Sequence, residues 1–177
     1  MNDLGPVHDI LGINIEKDGP TGKMKLTQRR YIADMLRTFE MEHCKPISTP
    51  LEPNQKLTKR MGLSTEEVKA NMKHKPYREL IGSLIYLANA TRPDLAFAAS
   101  ALSRFCTDPE EAHWKLAKRV LRYLQHTAGY GITYTKDCKE MRAYVDSDWA
   151  SDVEDCKSCS GNVVMLANGP ISWNSKK

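Results

Sequence analysis

Residues 77–94 read YRELIGSLIYLANATRPD, and the fold class follows from how this stretch is punctuated. Leu80, Ile81, Leu84, Ile85 and Ala88 recur at helical spacing, so one face of the segment is apolar. Thr91-Arg92-Pro93-Asp94 then breaks the chain. A proline disfavours helical geometry in the residue before it, and its own fixed φ suits the first position of a new helix. Leu95, Ala98, Ala99, Leu102 and Phe105 make the second stripe. Asp108-Pro109-Glu110-Glu111 opens a third helix with acidic residues at its positive end, and Ala117, Val120, Leu121 and Leu124 form its apolar face. Gly82 stands alone inside the first of these helices, where close helix packing is the simplest reading.

Upstream, Ile10, Ile13 and Ile15 are answered by Met24 and Leu26 across Asp18-Gly19-Pro20-Thr21-Gly22, the pattern of a hairpin over residues 8–26. Thr27 reads as the N-cap of a helix whose stripe is Ile32, Met35, Leu36 and Phe39. Pro46, Pro50 and Pro53 exclude a continuous helix in the next stretch, which reads as a connector. It has room for one short helix, Ser64 to Lys73, capped by Ser64 with Glu67 three residues on. After Gly129 the period changes. Residues 130–135, 142–146, 162–166 and 171–173 are short and rich in strand formers, and Asn168-Gly169-Pro170 turns the last two into a hairpin.

The third helix carries a second stripe, Lys115, Lys118, Arg119 and Arg122, beside its apolar one. Two readings fit: a solvated face, or a surface that meets the phosphates of a nucleic acid. A net charge of +4 over 177 residues permits the second without requiring it. With 41% hydrophobic and 27% charged residues the composition is that of a globular protein. Mean hydropathy is −0.53, no apolar run is long enough to cross a bilayer, and residues 1–10 lack a signal-peptide pattern. These features predict an intracellular protein, in cytoplasm or nucleus, without a membrane partner.

Five cysteines at irregular spacing read as reduced thiols. Cys156-Lys157-Ser158-Cys159 lacks the second ligand pair that zinc needs, so it reads as two loop thiols. Asp146-x-Asp148 lacks the glycine of a calcium loop, because Ser151 stands at the sixth position. His8, His74, His113 and His126 have no nucleophile at recognisable spacing.

Read in order, these blocks resemble the copia class of retrotransposon Pol proteins. The resemblance is carried by Leu11-Gly12-Ile13, Leu26-Thr27-Gln28, Cys44-Lys45-Pro46 with Ser48-Thr49-Pro50-Leu51, Tyr77-Arg78, Ile81-Gly82-Ser83-Leu84 and Thr91-Arg92-Pro93-Asp94. It continues through His113, Lys118 to Leu124, Asp146-Ser147-Asp148-Trp149-Ala150, Ser160-Gly161 and Ile171-Ser172-Trp173. Cys159 and Asn162 depart from it, standing where the family usually has a threonine and an aromatic residue.

The resemblance implies an α+β chain. Residues 1–44 would end a reverse transcriptase, 45–76 would be a connector, and 77–128 a helical region like the thumb and connection. Residues 129–177 would start an RNase H-like antiparallel sheet, incomplete here. Lys115, Lys118, Arg119 and Arg122 would then meet an RNA–DNA hybrid. Asp146 matches one carboxylate of the RNase H metal site. The intact family enzyme uses Mg²⁺, and a two-metal site needs several carboxylates, so the resemblance implies an incomplete metal site at Asp146 and no catalysis by this chain alone. Asp152, Glu154 and Asp155 read as loop residues. The sheet would keep an open edge, inviting self-association. One competing reading rests on Arg119-Val120-Leu121-Arg122, which fits the RxLR string of secreted effector proteins.

Overall fold

The computed structural model describes residues 5–53, 55–59, 61, 66–136, 140–148 and 155–177. It is an α+β arrangement in which a helical block lies between two antiparallel sheets. The strands are β1 (Asp9–Ile10), β2 (Ile13–Asp18), β3 (Lys23–Thr27), β4 (Gly131–Tyr134), β5 (Arg142–Ser147), β6 (Ser160–Leu166) and β7 (Gly169–Lys176). The helices are α1 (Arg29–Thr38), α2 (Glu66–Lys73), α3 (Tyr77–Ala90), α4 (Ala96–Ser103) and α5 (Glu111–His126), with a 3₁₀ turn at Pro93–Leu95 leading into α4. No helix is long and apolar enough to cross a membrane, among the described residues.

The helical block is the core. Ile32, Met35 and Leu36 of α1, Leu80, Ile81 and Leu84 of α3, Leu95, Ala98, Ala99 and Leu102 of the 3₁₀ turn and α4, and Ala117, Val120, Leu121 and Leu124 of α5 are all buried together. The three stripes read from the sequence therefore meet one another, as amphipathic helices must to remove their apolar faces from water. Ile85 is the exception: it is turned from this core toward β7 and remains about a third exposed, while Tyr77 and Leu87 take the buried positions. Ile47 and Leu51 of the connector pack against the same cluster.

The first sheet has the order β1-β2-β3-β4, the second β5-β6-β7. The sequence pattern groups residues 130–135 with the C-terminal strands, but β4 instead pairs antiparallel with β3, Leu26 opposite Ile132 and Thr27 opposite Gly131. The reason is steric. A Cβ at residue 131 would stand 2.1 Å from the Leu26 carbonyl oxygen, so only glycine admits this approach. The second sheet hangs from the rest through specific bonds. The Trp173 indole donates to the Ala88 carbonyl at 2.7 Å, the Tyr134 hydroxyl donates to Pro170 O at 2.8 Å, and Thr135 N donates to Ala167 O at 2.8 Å. Ala88 lies in the last turn of α3, where carbonyls lack helical partners, so the indole fills an open acceptor.

Three further expectations need correction. Thr27 is not a helix cap. It is the buried last residue of β3, paired with Asn14 and Gly131, and Gln28 stands at the cap position without a side-chain capping bond. The C-terminal turn is centred on Ala167 and Asn168, both at positive φ (53° and 61°), while Gly169 already belongs to β7. Gly169 is required for space, since a Cβ there would lie 2.6 Å from the Tyr134 ring. Gly82 makes no close helix contact: it is exposed, and a Cβ would meet nothing within 4 Å. The Ser64 cap lies outside the described residues.

These glycines predict opposite outcomes. Gly82→Ala removes backbone entropy from the unfolded chain at no steric cost and is expected to raise stability by roughly 0.5–1 kcal/mol. Gly131→Ala forces β3 and β4 apart and is expected to lower it. Urea denaturation of both variants checks the signs.

Candidate nucleic-acid interface

The basic stripe sits on α5, whose apolar face is buried in the core. Its start is fixed by a capping box: the Glu110 carboxylate accepts from the His113 backbone N–H, and the Glu110 backbone N–H donates to His113 Nδ1 at 2.9 Å. Because Nδ1 accepts, Nε2 carries the proton and donates to Thr58 O at 2.9 Å, while the ring stacks on Phe105. His113 thus has a structural role that explains its complete burial.

The four basic side chains divide into two pairs. Lys115 is exposed and reaches Glu111 at 3.1 Å, one turn back. Lys118 lies half-buried with its ammonium 5.9 Å from the centre of the Trp114 ring. Arg119 and Arg122 instead hold the connector. Arg119 pairs with Glu52 at 3.1 Å and donates to Thr49 Oγ1 at 3.1 Å, and the Arg122 Nε donates to Lys45 O at 2.7 Å. Ile47 N returns a bond to the Arg122 carbonyl at 3.4 Å, and the Gln125 amide donates to Glu42 O at 3.0 Å. The Arg119 Nε is buried without a partner. Val120 and Leu121, between the two arginines, are in the core. The RxLR string is therefore accounted for by folding: its ends strap the connector and its middle packs.

Asp146 is far from this stripe in the chain, on the exposed strand β5. Its Oδ1 accepts from Ser147 N at 2.9 Å, and it borders a shallow groove of about 370 Å³ with Phe97, Tyr144 and Trp173. Asp148 accepts from Cys159 N at 2.6 Å, and Asp155 is paired with Lys177 at 2.8 Å. Asp152 and Glu154 lie outside the described residues. No three His, Cys, Asp or Glu side chains come together among the described residues, and one carboxylate offers too few oxygens for a divalent ion. The described residues do not make a Mg²⁺ site. Cys156 and Cys159 are free thiols, as are Cys44 and Cys106, where burial pushes both thiols up.

The cluster that residue-by-residue reading missed is Thr91-Arg92-Pro93-Asp94 itself. Arg92 is 1% exposed. Its guanidinium makes a two-pronged pair with Asp94, Nε to Oδ1 at 2.9 Å and a terminal nitrogen to Oδ2 at 2.7 Å. It also donates to Thr127 O at 3.2 Å and Thr127 Oγ1 at 2.7 Å, and lies 5.6 Å from the ring centres of Tyr123 and Tyr130. The Tyr123 hydroxyl donates to Asp94 Oδ2 at 2.8 Å. Thr91 Oγ1 donates to Gln28 Oε1 at 2.7 Å. The available signal was an arginine set between an apolar helix and a proline, with an acid two residues on, one tyrosine in the facing helix and another just past its end.

Comparison with known proteins agrees with the blocks read from the sequence. The chain is 40% identical over 176 residues to the retrovirus-related Pol polyprotein of transposon TNT 1-94 from Nicotiana tabacum, covering 99% of this chain and 13% of that protein. It is 36% identical to an uncharacterized mitochondrial protein of Arabidopsis thaliana over its full length and 70% of the relative. It is 48% identical over 107 residues to a secreted RxLR effector protein of Plasmopara viticola, covering 60% of this chain and 75% of the relative. The chain thus spans about an eighth of the length of the tobacco polyprotein. No family model and no solved structure matches it.

Two outcomes follow from the buried cluster. Asp94→Ala leaves the Arg92 charge buried without its carboxylate, and the expected loss is about 3 kcal/mol, the low end for a broken buried pair because a third of Asp94 reaches water. Tyr77, Tyr123 and Tyr134 all have hydroxyls pushed up, chiefly by burial and, for Tyr123, by the Asp94 carboxylate. Their raised folded values mean a stability contribution fully present below the unfolded value near 10 and lost as pH rises beyond it. Thermal melts from pH 8 to 11.5 should fall steeply above pH 10, and less steeply in Tyr134→Phe.

Proposed function

The chain belongs to the copia-type family of retrotransposon Pol proteins, and from that premise we propose that it is the segment joining the end of a reverse transcriptase to the start of a ribonuclease H domain, where it holds an RNA–DNA hybrid by its backbone. The helical block plays the part of thumb and connection, and the sheet β5-β6-β7 that of the opening RNase H strands. Polymerase and nuclease activities belong to the longer Pol protein. Such a role places the chain where hybrids are made, in cytoplasm or nucleus.

The observation that carries the reading is that Lys115 is exposed and Lys118 partly exposed on a helix whose opposite face is locked in the core. Lysines one turn apart on a rigid rod meet successive phosphates without ordering any backbone on binding, and each displaces condensed counterions. Arg119 and Arg122 lie beside them and add positive potential while they hold the connector. Contact of this kind recognises charge spacing and helix shape, not base sequence.

The test is binding of the purified chain to a fluorescent RNA–DNA hybrid over a salt series. Binding is expected to weaken linearly on a log–log plot, and Lys115→Ala with Lys118→Ala should lower the magnitude of the slope by about two. Those positions are chosen over the arginines because truncating Arg119 or Arg122 would also loosen the connector. Absence of binding at low salt by a folded sample, or an unchanged slope in the double variant, overturns the proposal.

A further inference from the structure

Two arginines of this fold are paired with acids in different ways. Both oxygens of Asp94 grip Arg92, one of them at its Nε, and Arg92 is 1% exposed. Arg119 meets Glu52 through a terminal nitrogen at 3.1 Å, and the Glu52 side chain is 60% exposed. The Arg119 Nε is buried without a partner. The first pair is built to stay closed. In the second, the donors of Arg119 are not all used, and the carboxylate on them is one that water also reaches, so the pair exchanges at little cost.

The neighbours of Arg119 say what it would exchange for. Lys115 precedes it by four residues and Arg122 follows it by three, so the three lie along one face of α5, with Lys118 beside them. A nucleic-acid backbone seated on the two lysines carries its next phosphate toward Arg119. That phosphate competes with Glu52 from within the complex, at an effective concentration that a free anion does not reach. It also offers oxygens to two guanidinium donors at once, which suits an arginine better than a carboxylate at one nitrogen.

We propose that Glu52 stands on Arg119 in the place of a phosphate, and that the backbone of a bound RNA–DNA hybrid displaces it. The inference rests on the hybrid-holding reading and adds a gate to it. Arg119 is a masked third contact, unmasked by a strand already held at Lys115 and Lys118. The connector can yield at this point. Pro50 and Pro53 keep the residues around Glu52 out of a helix, so no helical hydrogen bonds need to break when the side chain moves. Arg122 keeps its bond to Lys45 O, so the near end of the connector stays on α5 while Glu52 leaves.

A double-mutant cycle on hybrid affinity tests this. Glu52→Gln keeps the shape of the side chain and removes its charge, and it is expected to lower the Kd for the hybrid about threefold at low salt. The gain should vanish in an Arg119→Gln background, where there is nothing left to unmask. Glu42→Gln is the control. Glu42 lies just before the connector and pairs with the exposed Arg37 at 3.4 Å, so neutralising it should leave Kd unchanged. This control keeps the test decisive if Arg119→Gln fails to fold, because a general effect of lost negative charge would show at both acids. Binding by the parent chain with a Kd that Glu52→Gln does not move overturns the inference and leaves the hybrid-holding reading standing. An equal gain from Glu42→Gln, or a gain that persists without Arg119, overturns it as well. Absence of binding by both the parent and the Glu52→Gln chain overturns the hybrid-holding reading and this inference with it.

Discussion

Arg92 is the constraint on which the rest of the arrangement depends. A guanidinium at 1% exposure cannot stay charged in an apolar interior without partners for its donors, and its charge is not easily lost. The chain supplies them from three places. Asp94 comes from the turn after α3, Thr127 from the end of α5, and the faces of Tyr123 and Tyr130 from α5 and the approach to β4. Each partner is also a junction. Meeting the guanidinium's demands sets the angle at which α4 leaves α3, the point at which α5 stops, and the direction in which the chain leaves for β4.

That last direction matters because β4 returns to the first sheet. Its partner β3 precedes all five helices in the chain, so the pairing of Leu26 with Ile132 closes a loop that contains the whole helical block. The loop-closure cost of that long-range pairing is offset by the packing of the helices between the two strands. The second sheet depends in turn on β4, since Tyr134 and Thr135 hold the β6–β7 turn while Trp173 reaches the end of α3. The N-terminal sheet, the helical block and the C-terminal sheet are thus linked in series through the region around Arg92.

The helices were legible in the sequence because their period is carried by many residues. Leu80, Ile81 and Leu84 with Ala98, Leu102, Val120 and Leu121 all proved buried. The hairpin was legible from its turn chemistry. What the sequence hid were properties of space rather than of pattern. Strand formers at 131–134 look the same whether they join the sheet before them or the sheet after, and what decides is the missing Cβ of Gly131 against a carbonyl oxygen. Gly82 and Gly169 carry the same letter, yet one faces open solvent and the other an aromatic ring. Thr27 has the right chemistry for a cap, but its hydroxyl is buried in the sheet with no bonding partner.

The basic stripe on α5 makes the same point for function. Periodicity places Lys115, Lys118, Arg119 and Arg122 on neighbouring faces, but says nothing about what lies over them. The connector covers the two arginines and not the two lysines, and this division follows the chemistry of the side chains. A planar guanidinium with several donors can satisfy backbone carbonyls, a hydroxyl and a carboxylate at once, as Arg119 and Arg122 do with Lys45, Thr49 and Glu52. A lysine ammonium is a strongly hydrated point charge on a flexible stem, better kept at the surface. A run of four cations therefore sorts itself into a structural pair and an available pair. The same sorting explains why an Arg-x-Leu-Arg string can recur in a folded helix without acting as a signal: its spacing is what a helix needs to put two arginines over one strap and two aliphatic residues into one core.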